Sequence, residues 1–285
     1  MANPLSAFKR IPNTYIKLPS QGRWNDNNVE MTASNEIPVY PMNAMDELMI
    51  NTPDAMLNGE ALCNVIKNCV PVIKDPSKIV IPDLETIFIA IKKANLNDSD
   101  SFTYTSTCVN PNCKHENTVG IDLQRVLDTK SYIDETDCFF ILENPDGDLK
   151  IEIKPYTLAL RHLFIESELE NNLLKKLISS NESLSTSEKA AETAKLIEKQ
   201  GKLTFSLVSK SIVSVTIVKT SEVITDQNFI SDWLIDIDKE KANIIITNVN
   251  KLNEYGINKN LTLKCEKCEN IWNDEWEIDP TSFFS

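Results

Sequence analysis

The chain has 285 residues, of which 41% are hydrophobic and 25% are charged, so it can bury one large core or two smaller ones. Its formal net charge of −13 argues against broad contact with nucleic-acid phosphates. No apolar run approaches the ~20 residues that span a bilayer, and no GxGxxG or GxxxxGK[ST] phosphate loop is present. We therefore expect neither a membrane span nor a glycine-rich nucleotide site.

Residues 1–42 are predicted to form an extended N-terminal arm. Strand-like pieces such as TYIKLP and IPVYPM are interrupted by proline. Proline is confined to sheet edges and extended segments, because it lacks a backbone N–H. We expect the arm to pack on its own domain or on a neighbouring subunit.

Residues 43–100 are predicted to form short helices. Asn43 and Asp46 resemble a capping box, with Asp in place of the usual Glu. Thr52 followed by Pro53 is a second helix start. After Pro82, the stretch DLETIFIAIKKA carries apolar residues along one helical face.

Two short cysteine turns are the most informative feature of the sequence. Cys108 and Cys113 lie in CVNPNC, and Cys265 and Cys268 lie in CEKC, each turn between strand-like residues. Four thiolates from two such turns form a tetrahedral shell suited to Zn²⁺. The sequence therefore predicts a structural zinc in a zinc-ribbon-like β module, made of residues 101–155 together with 257–285.

Other interpretations of the cysteines stay open at this point. Two disulfides or a redox CxxC are alternatives, and His115 beside the first turn is either a ligand or, as we expect, only a neighbour of the metal. The opening MANPLSAFKR is not followed by the apolar stretch of a signal peptide. We therefore expect a reducing compartment, which favours a metal over disulfides. The remaining cysteines, Cys63, Cys69 and Cys138, are predicted to be core residues.

Residues 156–256 are predicted to form a helical insertion between the two cysteine turns. Before it, CFFILE and LKIEIK flank NPDGD, which is typical of a β-hairpin. Within it, Ser185 and Glu188 form a capping box, and Gly256 ends the last helix. The predicted fold class is α+β: a zinc-ribbon-like β-hairpin module with a large helical insertion and an extended N-terminal arm.

The sequence carries no recognisable catalytic set, and we predict that the protein is not an enzyme. GxSxG and HExxH motifs are absent, and His162 lies in the helical stretch ALRHLF. Four thiolate ligands would also leave no open position on a zinc ion for water or substrate. Carboxylates such as Glu166, Glu168 and Glu170 are interpreted as a solvated helix face.

Several ordered motifs give the chain a family resemblance. LPSQGRW (18–24), IPVYPMNAMDE (37–47) and NTPDAMLNGEAL (51–62) precede CKHEN, and DPTSFFS (279–285) follows the second cysteine turn. In this order the motifs resemble the hub proteins of contractile-tailed bacteriophage baseplates. The first cysteine turn departs from the family pattern, because C-x4-C replaces a tighter turn.

The resemblance implies a structural or assembly role at the baseplate hub of the virion tail, with assembly in the host cytoplasm. Its implied partners are other baseplate and hub proteins, and the tail tube or tape measure, within a symmetric multi-subunit complex. The alternative is a phage zinc-ribbon protein with a nucleic-acid-binding or regulatory function. The family-like motifs predict these interface residues: Leu18, Pro19, Ser20, Gly22, Tyr40, Pro41, Met42, Asp46, Glu47, Asn58, Gly59, Phe283 and Phe284.

Overall fold

A computed structural model describes residues 10–50, 59–96, 102–181, 183 and 185–276. Helices and strands are both present, as expected for an α+β protein. The chain forms two compact units. Unit 1 comprises Met1–Tyr132 with Tyr255–Ser285, and unit 2 comprises Ile133–Glu254.

Unit 1 begins with a short antiparallel pair of strands, β1 (Thr14–Ile16) and β2 (Ile37–Val39). Three helices and one 3-10 turn follow in the described part of the chain up to residue 96. These elements are α1 (Ala44–Ile50), α2 (Glu60–Cys69), a 3-10 turn (Pro76–Lys78) and α3 (Ile81–Asn95).

Helix α3 is the centre of unit 1. It is buried along almost its whole length, polar residues included, so each buried carboxylate needs a partner. Asp83 accepts hydrogen bonds from the backbone N–H (2.8 Å) and the hydroxyl (2.5 Å) of Ser20. Glu85 pairs with Lys259 at 3.1 Å, which ties the helix to the C-terminal part of the unit.

The described part of the N-terminal arm, residues 10–42, is folded into unit 1. Strands β1 and β2 lie against α3, and the side chains of Ile16, Ile37 and Val39 are buried. These described residues therefore pack on their own unit, which is one of the two arrangements expected for the arm. The physical reason is that proline interrupts these strands without preventing alternate residues from facing the core.

The remainder of unit 1 contains two β-hairpins and one short helix. The first hairpin is followed directly by the helix, whose N-cap Asp122 accepts a hydrogen bond from the N–H of Arg125. The second hairpin comes after unit 2 in the chain. The elements are β3 (Phe102–Thr107), β4 (Glu116–Ile121), α4 (Leu123–Asp128), β9 (Asn260–Lys264) and β10 (Ile271–Glu275).

Unit 2 contains a four-stranded antiparallel sheet in the order β5-β6-β7-β8. It starts with a 3-10 turn at Glu135–Cys138, and the hairpin predicted around NPDGD is present, with Gly147 at a positive φ of 135°. The strands are β5 (Phe139–Leu142), β6 (Leu149–Ile153), β7 (Ile212–Ile217) and β8 (Glu222–Ile224).

The pairing of β6 with β7 separates the units at a different place from the predicted boundary. The predicted β module includes residues 101–155, whereas β6 pairs with β7 from Leu149↔Ile217 to Ile153↔Ile212. Ile151, Ile153 and Ile212 are fully buried. The hairpin belongs to unit 2 because the open edge of its strand β6 is paired with β7, which lies in that unit.

Two long helices between β6 and β7 form an antiparallel hairpin. Helix α5 spans Leu158–Ser180 and α6 spans Thr186–Ser209. Lys189 Nζ donates to the carbonyl of Ser179, and Lys199 pairs with Glu170, which fixes the antiparallel alignment. The predicted capping box of Ser185 and Glu188 is present at the start of α6.

Unit 2 ends with two further helices, α7 (Gln227–Asp236) and α8 (Lys239–Asn253). Beyond α8, Gly256 has a φ of 93°, and a Cβ there would lie 3.1 Å from the carbonyl oxygen of Pro82. Glycine is therefore required where the chain returns to unit 1. No helix in the described residues is long and apolar enough to cross a membrane.

Candidate metal centre

Each cysteine turn closes one β-hairpin of unit 1 with the same backbone hydrogen bond. The N–H of Cys108 donates to the carbonyl of His115 at 2.8 Å, and the N–H of Cys265 donates to the carbonyl of Asn270 at 2.9 Å. These bonds continue the strand ladders into the turns. The first cysteine of each pair is therefore held by its own hairpin.

The second cysteine of each pair occupies an equivalent position. Cys113 and Cys268 each precede a residue in the left-handed backbone region, Lys114 with φ 46° and Glu269 with φ 58°. The two turns therefore match at their second cysteines. They differ before that point, because Cys108 and Cys113 enclose two more residues than Cys265 and Cys268 do. The longer spacing therefore changes the loop and leaves the approach of its second thiol unchanged.

The four thiols lie together although the pairs are about 150 residues apart in sequence. Their Sγ atoms are all within 4.8 Å of one another. The closest pairs join the two hairpins: Cys108 to Cys268 at 3.6 Å, and Cys113 to Cys265 at 3.8 Å. Each hairpin alone supplies only half of the cluster.

These sulfur separations fit a shared metal ion better than disulfides. A Zn–S bond length of about 2.3 Å in a tetrahedron corresponds to S···S edges of about 3.8 Å, whereas a disulfide requires about 2.05 Å. Cys108 and Cys265 are buried, and Cys113 and Cys268 are partly exposed. The four residues can therefore form a closed tetrahedral thiolate shell at the edge of the unit.

A small apolar core surrounds the thiols on the protein side. Leu263 and Trp272 are buried with Cys108 and Cys265, and the partly buried neighbours are Tyr104, Cys113, Val119, Leu261 and Cys268. This core is small for two hairpins and a turn region. Below a certain core size, small modules generally need a metal or disulfides in addition to apolar burial.

Polar side chains also connect the two hairpins. Asn117 is buried, and its side chain donates to the carbonyl of His115 at 3.0 Å and accepts from the N–H of Glu266 at 3.0 Å. It therefore joins the first turn to the second. In the sequence, Asn117 stands out only as part of CKHEN, because its role depends on a partner 149 residues away.

Asp274 makes a second connection between the hairpins. Its carboxylate accepts hydrogen bonds from the hydroxyls of Tyr104, at 3.2 Å, and Ser106. The hydrogen bond from Ser106 is the main cause that lowers the pKa of Asp274 below its ordinary value. The ionised carboxylate thus holds β10 against β3.

The environment of the thiols already favours a thiolate at one of them. Burial acts to raise the pKa of Cys265, but hydrogen bonds from the backbone N–H groups of Cys268 and Lys267 outweigh it and lower that pKa to about 6. Burial raises the pKa of Cys108 to about 11. A divalent cation would be needed to stabilise four thiolates side by side.

The remaining sulfur and imidazole groups lie outside the cluster. His115 contributes its backbone carbonyl to the first turn, and its side chain is not among the groups close enough to share an ion in the described residues. Cys69 and Cys138 are buried, and Cys63 is partly buried. Burial raises the pKa of Cys63, and that of Cys69 to about 12, so both are protonated at neutral pH.

Most of the described residues in the family-like motifs lie inside unit 1. Leu18, Pro19 and Ser20 are buried, and Gly22 has a φ of 84° in a tight turn. Tyr40, Pro41 and Met42 are partly buried, and Glu47 is exposed. Gly59 precedes α2 with a φ of 68°. The motif residues Asn58, Phe283 and Phe284 lie outside the described residues.

Asp46 shows why one motif residue has to be an acid. Its buried carboxylate accepts hydrogen bonds from the N–H of Asn43 at 2.8 Å and the amide of Asn68 at 2.6 Å, and it pairs with Arg10 at 3.3 Å. Asn43 in turn caps the N–H of Asp46, which completes the predicted capping box. This residue therefore organises unit 1 internally.

Comparison with known families identifies the chain. The family described as T4 bacteriophage base plate protein matches residues 17–284, which include both cysteine turns, all of unit 2 and most of unit 1. The chain belongs to this family. It is therefore a protein of the phage tail baseplate, and the family resemblance seen in the sequence is confirmed at that level.

Membership of a baseplate family indicates a structural role together with other baseplate proteins. No curated protein and no solved structure matches the chain.

Proposed function

We propose that this chain is a non-catalytic structural or assembly component of the baseplate hub. The observation that carries the proposal is the baseplate family match over residues 17–284. The hub assignment within the baseplate rests on the ordered motifs LPSQGRW, IPVYPMNAMDE and DPTSFFS, which resemble hub proteins.

The proposed role includes a structural zinc at Cys108, Cys113, Cys265 and Cys268. The spacing of their sulfur atoms supports this metal, and the closed shell would offer no position for catalysis. When bound, the ion supplies only a cross-link. The residues themselves hold the two hairpins at a fixed separation, and they close a loop of 160 residues between Cys108 and Cys268.

The proposed partners are hub, tail-tube or tape-measure proteins. Helix α1 supports a docking role for the motif region, because Met45 and Leu48 are exposed next to the buried Asp46. The internal motif residues would then shape unit 1, while the outer face of α1 meets the partner. Exposed apolar residues of this kind are common at protein interfaces.

The proposal is tested by following the chain through tail assembly. Tails and tail-assembly intermediates would be purified from infected cells that carry an epitope-tagged copy, and the tagged chain would be sought in each fraction. We expect it in mature baseplates or in a hub-containing intermediate, and we expect Met45→Asp with Leu48→Asp to reduce its incorporation severalfold.

A matched control is Lys17→Asp, which changes an exposed residue of the same unit away from α1. Absence of the tagged chain from both mature tails and intermediates would overturn the proposal. Incorporation only into a baseplate part that lacks hub proteins would overturn the hub assignment and keep the baseplate role.

A further inference from the structure

Helix α5 carries an exposed apolar stripe on the side that does not pack against α6. Ile165, Leu169, Leu173 and Leu177 are 42%, 48%, 62% and 64% exposed. A spacing of four residues places them on one face of the helix, over about three turns and about 18 Å. All four side chains are therefore exposed to a large extent.

The opposite side of α5 has its own packing role. Asn171 is buried at 2% exposed, and Leu160 is also buried, whereas Leu169 and Leu173 lie about 160° away around the helix from Asn171. The stripe is therefore separate from the α5–α6 contact, and covering it would leave the helical hairpin intact.

The residues of the stripe are arranged symmetrically about Asn171. Leu169 and Leu173 lie two residues before and after it, and Ile165 and Leu177 lie six before and after it. Two charged residues of opposite sign are also placed symmetrically about Asn171. Glu166 lies five residues before Asn171, and Lys176 lies five residues after it.

We propose that this face of α5 binds α5 of a second copy of this chain, antiparallel and centred on Asn171. In that arrangement Leu169 of one copy shares a layer with Leu173 of the other, as positions a and d do in antiparallel helix pairs. Glu166 of each copy then lies beside Lys176 of the other. The contact is isologous and closes after two copies.

Charge complementarity selects this arrangement over the alternatives. A parallel pair would place Glu166 beside Glu166, and Lys176 beside Lys176, which is unfavourable. Lys176 has no carboxylate partner among the described residues. Within the same described residues, exposed Glu166 contacts its partly buried i,i+4 neighbour His162 at 3.1 Å. In the proposed pair, Glu170 of one chain would lie near Glu170 of the second chain. Each of these carboxylates is already paired with Lys199 of its own chain at 3.3 Å.

The inference is independent of the proposed hub role. The interface is a single helix face of about three turns, so we expect weak association, with a Kd on the order of 10 µM. It would describe how free copies associate, whichever baseplate protein the chain later meets.

Sedimentation equilibrium of the purified full-length protein tests the proposal with a charge-exchange design. Glu166→Lys alone creates two Lys–Lys layers, and Lys176→Glu alone creates two Glu–Glu layers. We expect each variant to weaken dimerisation about tenfold or more. An equimolar mixture of the two variants restores both ion pairs, so we expect the mixture to dimerise as the wild type does.

Glu168→Lys is the matched control, because this exposed carboxylate on the same helix lies off the symmetric layers. It should leave the Kd within about twofold, and circular dichroism should show all variants equally helical. A wild type that stays monomeric at about tenfold above the expected Kd, on the order of 100 µM, overturns the proposal. So does a mixture of the two variants that fails to dimerise, or an equal effect of Glu168→Lys.

Discussion

Unit 1 and the α5–α6 hairpin of unit 2 are stabilised by polar contacts of very different range. In unit 1, Ser20 bonds Asp83 over 63 residues, Tyr104 bonds Asp274 over 170, and Lys259 bonds Glu85 over 174. In the helical hairpin, Ser185 bonds Glu188 over 3 residues and Lys202 bonds Glu198 over 4. Unit 1 depends on contacts between distant segments, whereas the α5–α6 hairpin depends on contacts within its own stretch of chain, such as Lys199 with Glu170 over 29 residues.

The difference teaches that the two regions have different needs for a cross-link. Bringing distant segments together costs chain entropy before any contact rewards it, whereas helical turns form locally. A metal that joins residues more than 150 apart therefore has most to contribute in unit 1. The local contacts of the helical hairpin form without such a link.

Loss of one proposed metal ligand should have the largest effect, and it should destabilise unit 1 much more than the helical hairpin. Cys265→Ser leaves three thiolates, and we expect unit 1 to lose on the order of 5 kcal/mol of stability with its zinc, because structural zinc contributes folding free energy outright. Helix α6 should keep its circular dichroism signal. Metal content by elemental analysis, with urea unfolding followed by tryptophan fluorescence, checks both parts.

Cys63→Ser is the matched control, since Cys63 is a partly buried thiol outside the cluster. It should retain one zinc per chain and most of the stability. If the wild-type protein held no zinc, or if Cys265→Ser kept the same zinc content and melting curve, the shared site would be refuted.

The polar link between the two cysteine hairpins should have the next largest effect. Asp274→Ala leaves the hydroxyls of Tyr104 and Ser106 without their acceptor, so we expect a loss of about 2 kcal/mol from unit 1. The exposed neighbour Glu275→Ala should change stability by less than about 0.5 kcal/mol. Equal unfolding midpoints in urea for the two variants would contradict the assigned role of Asp274.

In the helical hairpin, one substitution should stabilise the protein. Asn171 is buried and its side-chain oxygen has no hydrogen-bond partner among the described residues. Asn171→Leu removes this cost, and we expect unit 2 to gain about 1–2 kcal/mol. The exposed Asn172→Leu is the control and should be nearly neutral. Thermal unfolding followed by circular dichroism measures both, and a loss of stability in Asn171→Leu would contradict the interpretation.

The smallest expected effect is a pH dependence that belongs to unit 1. Burial raises the pKa of Asp83 to about 6, although hydrogen bonds from Ser20 act to lower it. Its pKa is higher in the folded than in the unfolded state, so folding favours the protonated acid, and stability increases as pH falls below about 6. Compared with Asp83→Asn, the wild type should gain about 1 kcal/mol between pH 7.5 and pH 5.

The measurement is the difference in unfolding free energy between wild type and Asp83→Asn at each pH, because acid also releases metal from thiolates in both proteins. A difference that stays constant over this range would show that Asp83 titrates normally.

The parts of the fold that could be predicted are those with local signals. The capping boxes at Asn43–Asp46 and Ser185–Glu188 are present, since both partners lie within one turn. The meeting of the two cysteine pairs is also confirmed, because their four Sγ atoms lie within 4.8 Å of one another. The metal itself remains a proposal.

The parts that could not be predicted depend on distant partners. The stretch SIVSVTIV contains strand β7, and its apolar run directly follows a helix, so only the pairing with β6 identifies it. Asn117 and Asp274 likewise gain their roles from residues about 150 or more positions away. Hydrophobic periodicity carries no information about such partners.

The position of the second cysteine hairpin has a consequence for biosynthesis. Cys113 and Cys265 are separated by 152 residues, and unit 2 lies between them in the chain. At about 5–20 residues per second, a ribosome needs roughly 8–30 s to travel from one to the other. During that interval Cys108 and Cys113 have been synthesised without Cys265 and Cys268, while the helical unit can already fold. The proposed metal site can therefore be completed only after the helical unit has been synthesised.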